Sequence, residues 1–328
     1  MRTPGVERGR MRPREKVTHV RRHVGRALVT MAVVGAVVSG CAGPGGPGTG
    51  AVIGDHVISL NDVEQQIDAA LTDPDQTAAA SVFGWGTDGL SRLVVESAVS
   101  NTVVGGAATA AGVRVPPEEL EGIAENVALG MLQQQLQMGN MAVRDPSVVD
   151  GILEITRRAA PWQAAAIELG RHAIGRVSVV VDEVTVRDRE TAERFARLLA
   201  SGGNLAEQVL AEPGARRGAA YAAGTDTERA GTILFGVPEG TVVAYQPNPA
   251  NASWSVARVV QRRTDGPGDP AAAEQLSQSE LLNIGIRVAQ AEQGNNPVVV
   301  NPRFGVWDPV GFRLVAPEDQ AGLVILPS

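Results

Sequence analysis

Covalent or acid–base chemistry needs a nucleophile, a base or a metal ligand, and this chain of 328 residues offers few of them. It has one cysteine, Cys41, and four histidines, of which only His56 and His172 lie beyond the first 40 residues. A lone cysteine forms no internal disulfide and holds no metal by itself. His56 falls in a Gly-Asp-His turn with no cysteine or acid cluster at ligand spacing, and His172 ends the helical run "ELGRHAIGR", where a cationic imidazole suits the helix dipole. The acids Asp182, Glu183 and Asp188 resemble a carboxylate pair in spacing, but a helix cap explains Asp188 and a solvated strand edge explains the other two. A Ser or Thr nucleophile would need a base, and no lysine follows Lys16. There is no phosphate-binding glycine loop: "GGPGTG" precedes a strand, not a helix. The expectation is a protein that is not an enzyme, with no cofactor and no metal.

The neighbours of Cys41 suggest its use. A basic segment (Arg10, Arg12, Arg14, Lys16, Arg21, Arg22, Arg26) precedes an uncharged run of 14 residues from Ala27 to Gly40, followed by small residues. That is the layout of a secretory signal peptide, and the run is shorter than the roughly 18 to 20 apolar residues of a membrane-spanning helix. Val38-Ser39-Gly40-Cys41 resembles the lipobox of bacterial lipoproteins. The resemblance implies that the Cys41 thiol receives a diacylglycerol, with palmitate as an expected acyl chain, and that cleavage before it makes Cys41 the mature N-terminus. Two or more acyl chains suffice for stable anchoring. The expected location is the cell membrane, lipid-anchored on its extracytoplasmic face.

Cleavage there removes nine of the 29 Lys and Arg and two of the 36 Asp and Glu, which leaves 20 arginines against 34 carboxylates, a net of −14. Such a balance argues against nucleic acid as a partner, because phosphate backbones need basic patches.

The elements divide the chain into a leader (1–40), a Gly/Pro tether (41–50), a helical region (51–175), a small α+β region (176–263) and a returning helix with a tail (264–328). "AVIGDHVI" suits a short hairpin, and Ser59 with Asp62 gives the S-x-x-D signature of a helix start. Leu90, Leu93, Val94 and Ala98, then Leu120, Ile123, Ala124, Val127 and Met131, keep the spacing of an amphipathic helix. A third helix carries Val148, Ile152, Ile155, Ala159, Trp162 and Ala166, with Pro161 expected to kink or divide it. "RVSVVVDEVTV" is strand-like, "DRETAERFARLLASG" is a helix capped by Asp188, and "GTILFGV", "GTVVAY" and "SWSVARVVQRR" are further apolar stretches. "TDGPGDPAA" is a linker by composition, and a helix follows over residues 271–292. Met131, Met138 and Met141 stand among glutamines; with Trp162 they are the candidate peptide-binding side chains, since methionine packs adaptably against varied partners.

"VIGDHVISLNDVEQQI" is similar to the opening of SurA-like and PrsA-like foldases of bacterial envelopes, and "VNPRFGVWDP" resembles the ends of SurA-like lipoproteins of actinobacteria. "VTVRDRETAERFARLLASGGNLAEQV" looks like the first strand and helix of a parvulin-type prolyl isomerase, and "ILFGVPEGTVV" with "WSVARVVQRR" looks like its later strands. The resemblance implies a mainly α fold with an α+β insert: a helical SurA-like chaperone domain carrying a small parvulin-like module. It also implies a lost active site. Glu183 and Ser255 stand where that family places its two histidines, and Ala252 stands where it places the phenylalanine of the proline pocket. The expected function is a chaperone-like lipoprotein that binds unfolded or extended secreted polypeptides in apolar grooves between helices, without prolyl isomerase activity. The alternative is a solute-binding or cell-envelope assembly lipoprotein, which would favour repeated βαβ units.

Overall fold

Polar caps and helix-compatible prolines open most of the helices. The computed structural model describes residues 46–248 and 251–327; Cys41, the leader and the first part of the tether lie outside these residues. The chain enters through an antiparallel hairpin of β1 (Thr49–Ile53) and β2 (His56–Ser59), with Ile53 opposite His56. Ser59 caps α1 (Leu60–Thr72), its hydroxyl accepting the Asp62 N–H at 3.5 Å, as the S-x-x-D spacing predicts. Asp73 opens α2 (Pro74–Val82) by accepting the N–H groups of Asp75 at 2.9 Å and Gln76 at 3.2 Å. The three long helices follow as α3 (Gly86–Ala110), α4 (Pro117–Gln137) and α5 (Pro146–Ala173).

The second half begins with β3 (Ser178–Val186), α6 (Arg189–Ser201), α7 (Gly203–Val209) and β4 (Arg216–Ala222). It continues through α8 (Thr227–Ala230), β5 (Val242–Tyr245) and β6 (Trp254–Arg263). The tail adds α9 (Pro270–Ala273), α10 (Gln278–Glu292), β7 (Val298–Val300), β8 (Val306–Asp308), β9 (Arg313–Val315) and β10 (Gly322–Ile325). Ser277 and Glu280 form a capping box at the start of α10: the Ser277 N–H donates to Glu280 Oε2 at 2.9 Å and the Glu280 N–H donates to Ser277 Oγ at 3.3 Å.

The fold is α+β. Of the described residues 54% are helical and 19% lie in strands, and the strands form three antiparallel sheets of order β2-β1-β7, β10-β5-β6-β3-β4 and β8-β9. This corrects the expectation of a mainly α protein, a helical SurA-like domain with a separate parvulin-like insert. The helical half carries its own sheet, closed by β7 from the tail, and β10 completes the sheet of residues 176–263. The physical reason is that β7 to β10 are three or four residues long, too short for a period of two to show, and are stabilised by long-range pairing. Two further expectations change. "GTILFGV" holds a short 3-10 turn at Ile233–Phe235, not a strand, and α5 runs through Pro161 without a break. Proline removes one backbone hydrogen bond, and burial of Ile152, Ile155, Ala164 and Leu169 on either side holds the helix together.

Side chains of the five-stranded sheet alternate between two cores. Val242 and Ala244 of β5 pack with Ala192, Ala196 and Leu199 of α6, while Val243 and Tyr245 pack with Leu281 and Ile284 of α10. Helix α5 is the central column, and it accepts neighbours at glycine. A Cβ on Gly170 would lie 2.0 Å from the Leu281 carbonyl oxygen, and one on Gly285 would lie 1.7 Å from that of Ala166, so α5 and α10 touch backbone to backbone. Arg287 ties the tail to this column. Its buried guanidinium donates to the carbonyls of Gly231 at 3.0 Å, Pro309 at 3.1 Å and Val310 at 2.7 Å, and to Gln290 Oε1 at 2.9 Å. Burial brings Arg287 down to about 10, which leaves it charged at neutral pH.

Candidate functional site

Four neighbouring cavities form a run past the end of α5 and along α10, each sharing lining residues with the next. The widest, about 400 Å³, lies between the end of α5, the 267–274 segment and Arg114 from the α3–α4 connection. His172 and Arg176 belong both to it and to a second cavity of about 210 Å³. Ala107, Ala110 and Glu292 are shared between the second and a third of about 280 Å³, which reaches the β1–β2 turn at Asp55 and His56. Gln293 and Asn296 join the third to a fourth of about 230 Å³, bordered by Trp307, Val324 and Leu326.

The walls explain why a groove forms. Helix α3 presents Val103, Gly106, Ala107 and Ala110, side chains too small to fill the space towards α10. A Cβ on Gly106 would meet nothing within 4 Å. Leu169, Ala173 and Val288 make the middle apolar, and the rim is polar. Gln293 lines both the third and the fourth cavity, and its Nε2 is buried without a hydrogen-bond partner. At the wide end Arg171 pairs with Glu168 at 2.9 Å, whereas Arg114 and Arg176 make no ion pair among the described residues.

Sequence reasoning missed this groove, although His56 and His172 both line it. The wall residues come from eight separate stretches of the chain, and small apolar residues on α3 read only as helix packing. The side chains expected to bind peptide do not converge. Met138 and Met141 are exposed at the tip between α4 and α5, at 63% and 53%, with Leu129 of α4 also exposed. Met131 and Trp162 pack against the main core, and Trp162 meets the Phe312 ring at 6.4 Å between centroids. Trp162 also lies about 24 Å along α5 from its first residue, taking 1.5 Å per residue.

The positions compared with an isomerase site are occupied by structural chemistry. Glu183 and Asp182 point to opposite faces of the sheet. Asp182 accepts the Gly218 N–H at 3.0 Å and Arg258 at 2.6 Å. On the other face the Glu183 carboxylate is buried and accepts from Tyr221 Oη at 2.6 Å, Arg216 Nε at 2.9 Å and Arg229 Nη1 at 3.1 Å. Arg216 also contacts the Tyr221 hydroxyl, and the Arg229 guanidinium lies 4.4 Å above the Tyr221 ring. Both oxygens of Glu183 are occupied by donors, two of them cationic. Ser255 is buried opposite Thr185 and Tyr245, and Ala252 is exposed on the loop before β6. Burial pushes the Tyr245 hydroxyl up; Thr232, Arg229 and Ser255 act more weakly in the other direction. The described residues contain no group of three or more His, Cys, Asp or Glu able to hold a metal, and no helix long and apolar enough to cross a membrane.

Comparison with protein-family models, with curated proteins and with solved structures gives no match for this chain.

Proposed function

We propose that this protein is a lipid-anchored factor on the extracytoplasmic face of the cell membrane that holds extended polypeptide in a chaperone-like manner, without prolyl isomerase chemistry. The observation that carries the reading is the run of cavities along α10. An extended chain needs a long, open, mostly apolar channel with a few polar groups to take its backbone, and the groove has that form. The lipobox-like sequence at Cys41 and the resemblance to envelope foldases support the location and the class of client. The saturated surroundings of Glu183 support the absence of catalysis at that position.

The test uses the mature protein in detergent. It should slow the aggregation of a chemically unfolded client and bind labelled extended peptides, and Gly106→Trp, which places an indole in open space, should weaken both effects. A protein that does neither, or a Gly106→Trp variant that does both unchanged, refutes the reading.

A further inference from the structure

We infer that the protein takes polypeptide by strand addition: an uncharged extended segment pairs with the free edge of β10 and sends alternate side chains towards the fourth cavity. The inference rests on the polypeptide-binding reading and adds the mode of contact.

The two edges of the five-stranded sheet differ. Strand β4, at one edge, carries the features that keep a sheet from pairing further. Arg216 and Arg217 are exposed on it, and its register with β3 is broken between Val181 and Glu183. Side chains take up two of its backbone donors: Asp182 Oδ1 accepts the Gly218 N–H at 3.0 Å, and Asp226 Oδ2 accepts the Ala222 N–H at 3.0 Å. Strand β10, at the other edge, has none of these features. Residues 322–326 read "GLVIL", with no charge and no proline, and the register with β5 is unbroken from Gly322 opposite Tyr245 to Ile325 opposite Val242. In an antiparallel pair, alternate residues turn their N–H and C=O groups away from the partner. Among the described residues, no hydrogen bond reaches the backbone of 322–326 from that outer side. All four residues of β10 are half-buried, whereas all four of β5 are buried.

What lies beside this edge identifies its occupant. Val324 and Leu326 border the fourth cavity, of about 230 Å³, with Val237, Val298 and Trp307, while Leu323 and Ile325 pack on the α6 core. A strand laid about 4.8 Å outside β10 continues both faces and has one set of side chains beside the open cavity. That cavity is the last of the run along α10, so the groove opens onto this edge. Main-chain hydrogen bonds then give affinity, and the space for alternate side chains gives selectivity. A second copy of the chain suits the edge less well. Residues 41–328 carry 20 arginines against 34 carboxylates, so two copies repel each other. Four half-buried residues also offer far less than the roughly 800 Å² per partner of a stable interface.

Amide hydrogen exchange of the mature protein in detergent, read over residues 322–326 by mass spectrometry, tests this with two labelled peptides of equal length. One alternates Val and Thr; in the other, proline replaces each Thr, so that the peptide cannot complete a ladder. The Val/Thr peptide at about ten times its Kd should slow the fast-exchanging amides of 322–326 about tenfold. By fluorescence anisotropy it should bind about tenfold more tightly than the proline peptide, as the loss of one or two main-chain hydrogen bonds would give. Binding without slower exchange at 322–326, or no advantage over the proline peptide, overturns strand addition and leaves the groove as the site. Protection of 322–326 that rises with protein concentration when no peptide is present assigns the edge to a second copy and also overturns it. If neither peptide binds, the polypeptide-binding reading falls and strand addition falls with it.

Discussion

The Tyr221 hydroxyl donates a 2.6 Å hydrogen bond to Glu183 Oε1 across the β3–β4 pair, and this bond belongs to a closed knot with Arg216 and Arg229. The carboxylate is buried, whereas the arginine side chains are 55% and 36% exposed. Solvent screens the cations, so the cost of breaking the knot falls on the groups left buried. Glu183→Ala should destabilise by about 2–3 kcal/mol and Tyr221→Phe by about 1 kcal/mol. Urea denaturation checks both, and a double-mutant cycle should show positive coupling.

The same knot bears on catalysis. Wild-type protein should not accelerate cis–trans isomerisation of a prolyl peptide, and neither should Ser255→His with Ala252→Phe, because Glu183 stays bound to its donors. Acceleration by the wild type in a coupled isomerisation assay would contradict this.

Backbone contact between α5 and α10 makes two glycines unequal to a third. Gly285→Ala places a Cβ against the Ala166 carbonyl and should cost about 3 kcal/mol or more. Gly106→Ala, in open space on a helix, should be neutral or stabilise by about 0.5–1 kcal/mol. Thermal unfolding of the two variants side by side distinguishes them.

Glu96 supplies a pH dependence. Desolvation raises its carboxyl above the usual range, only partly offset by the Leu314 N–H at 2.9 Å and by Arg313. The folded state therefore holds this proton more tightly than the unfolded chain does. Its favourable contribution is present below the unfolded carboxyl value and is lost as pH rises through the raised one. Glu96→Gln, which keeps an acceptor for Leu314, should be more stable than wild type at pH 7 and should show a flatter stability profile between pH 4 and 7. A less stable variant at pH 7 would show that the charge is favourable.

Cys41 is the residue on which the proposed location depends. Cys41→Ser should move the protein from the membrane to the soluble fraction and abolish incorporation of radiolabelled palmitate. Retention in the membrane fraction would assign anchoring to another part of the chain.

Local signals were legible in the sequence wherever neighbours in the chain cause the structure. Ser59 capping α1, Asp188 capping α6 and the strands β1, β3, β5 and β6 follow from residues a few positions apart. Strand β4 escaped because "RRGAAYA" has neither alternation nor β-branched residues, and it forms by pairing with β3. Helix α2 escaped because it is short, although Asp73-Pro74 marks its start.

By itself the sequence determined the charge balance, the scarcity of reactive side chains, the lipobox-like motif and the starts of α1, α4 and α6, because composition and capping act over single turns; the helix expected over 271–292 is two, α9 and α10, with Ser277 capping the second. Only the tertiary structure decided that the tail strands close the sheets, that Glu183 is bound by Tyr221, Arg216 and Arg229, and that α3, α5, α10 and the first hairpin enclose a groove. Those relationships join residues up to about 250 positions apart, as Asn301 Nδ2 donating to the Thr49 carbonyl at 3.0 Å illustrates. Burial and pairing over such separations depend on how the elements pack, and no local pattern encodes that.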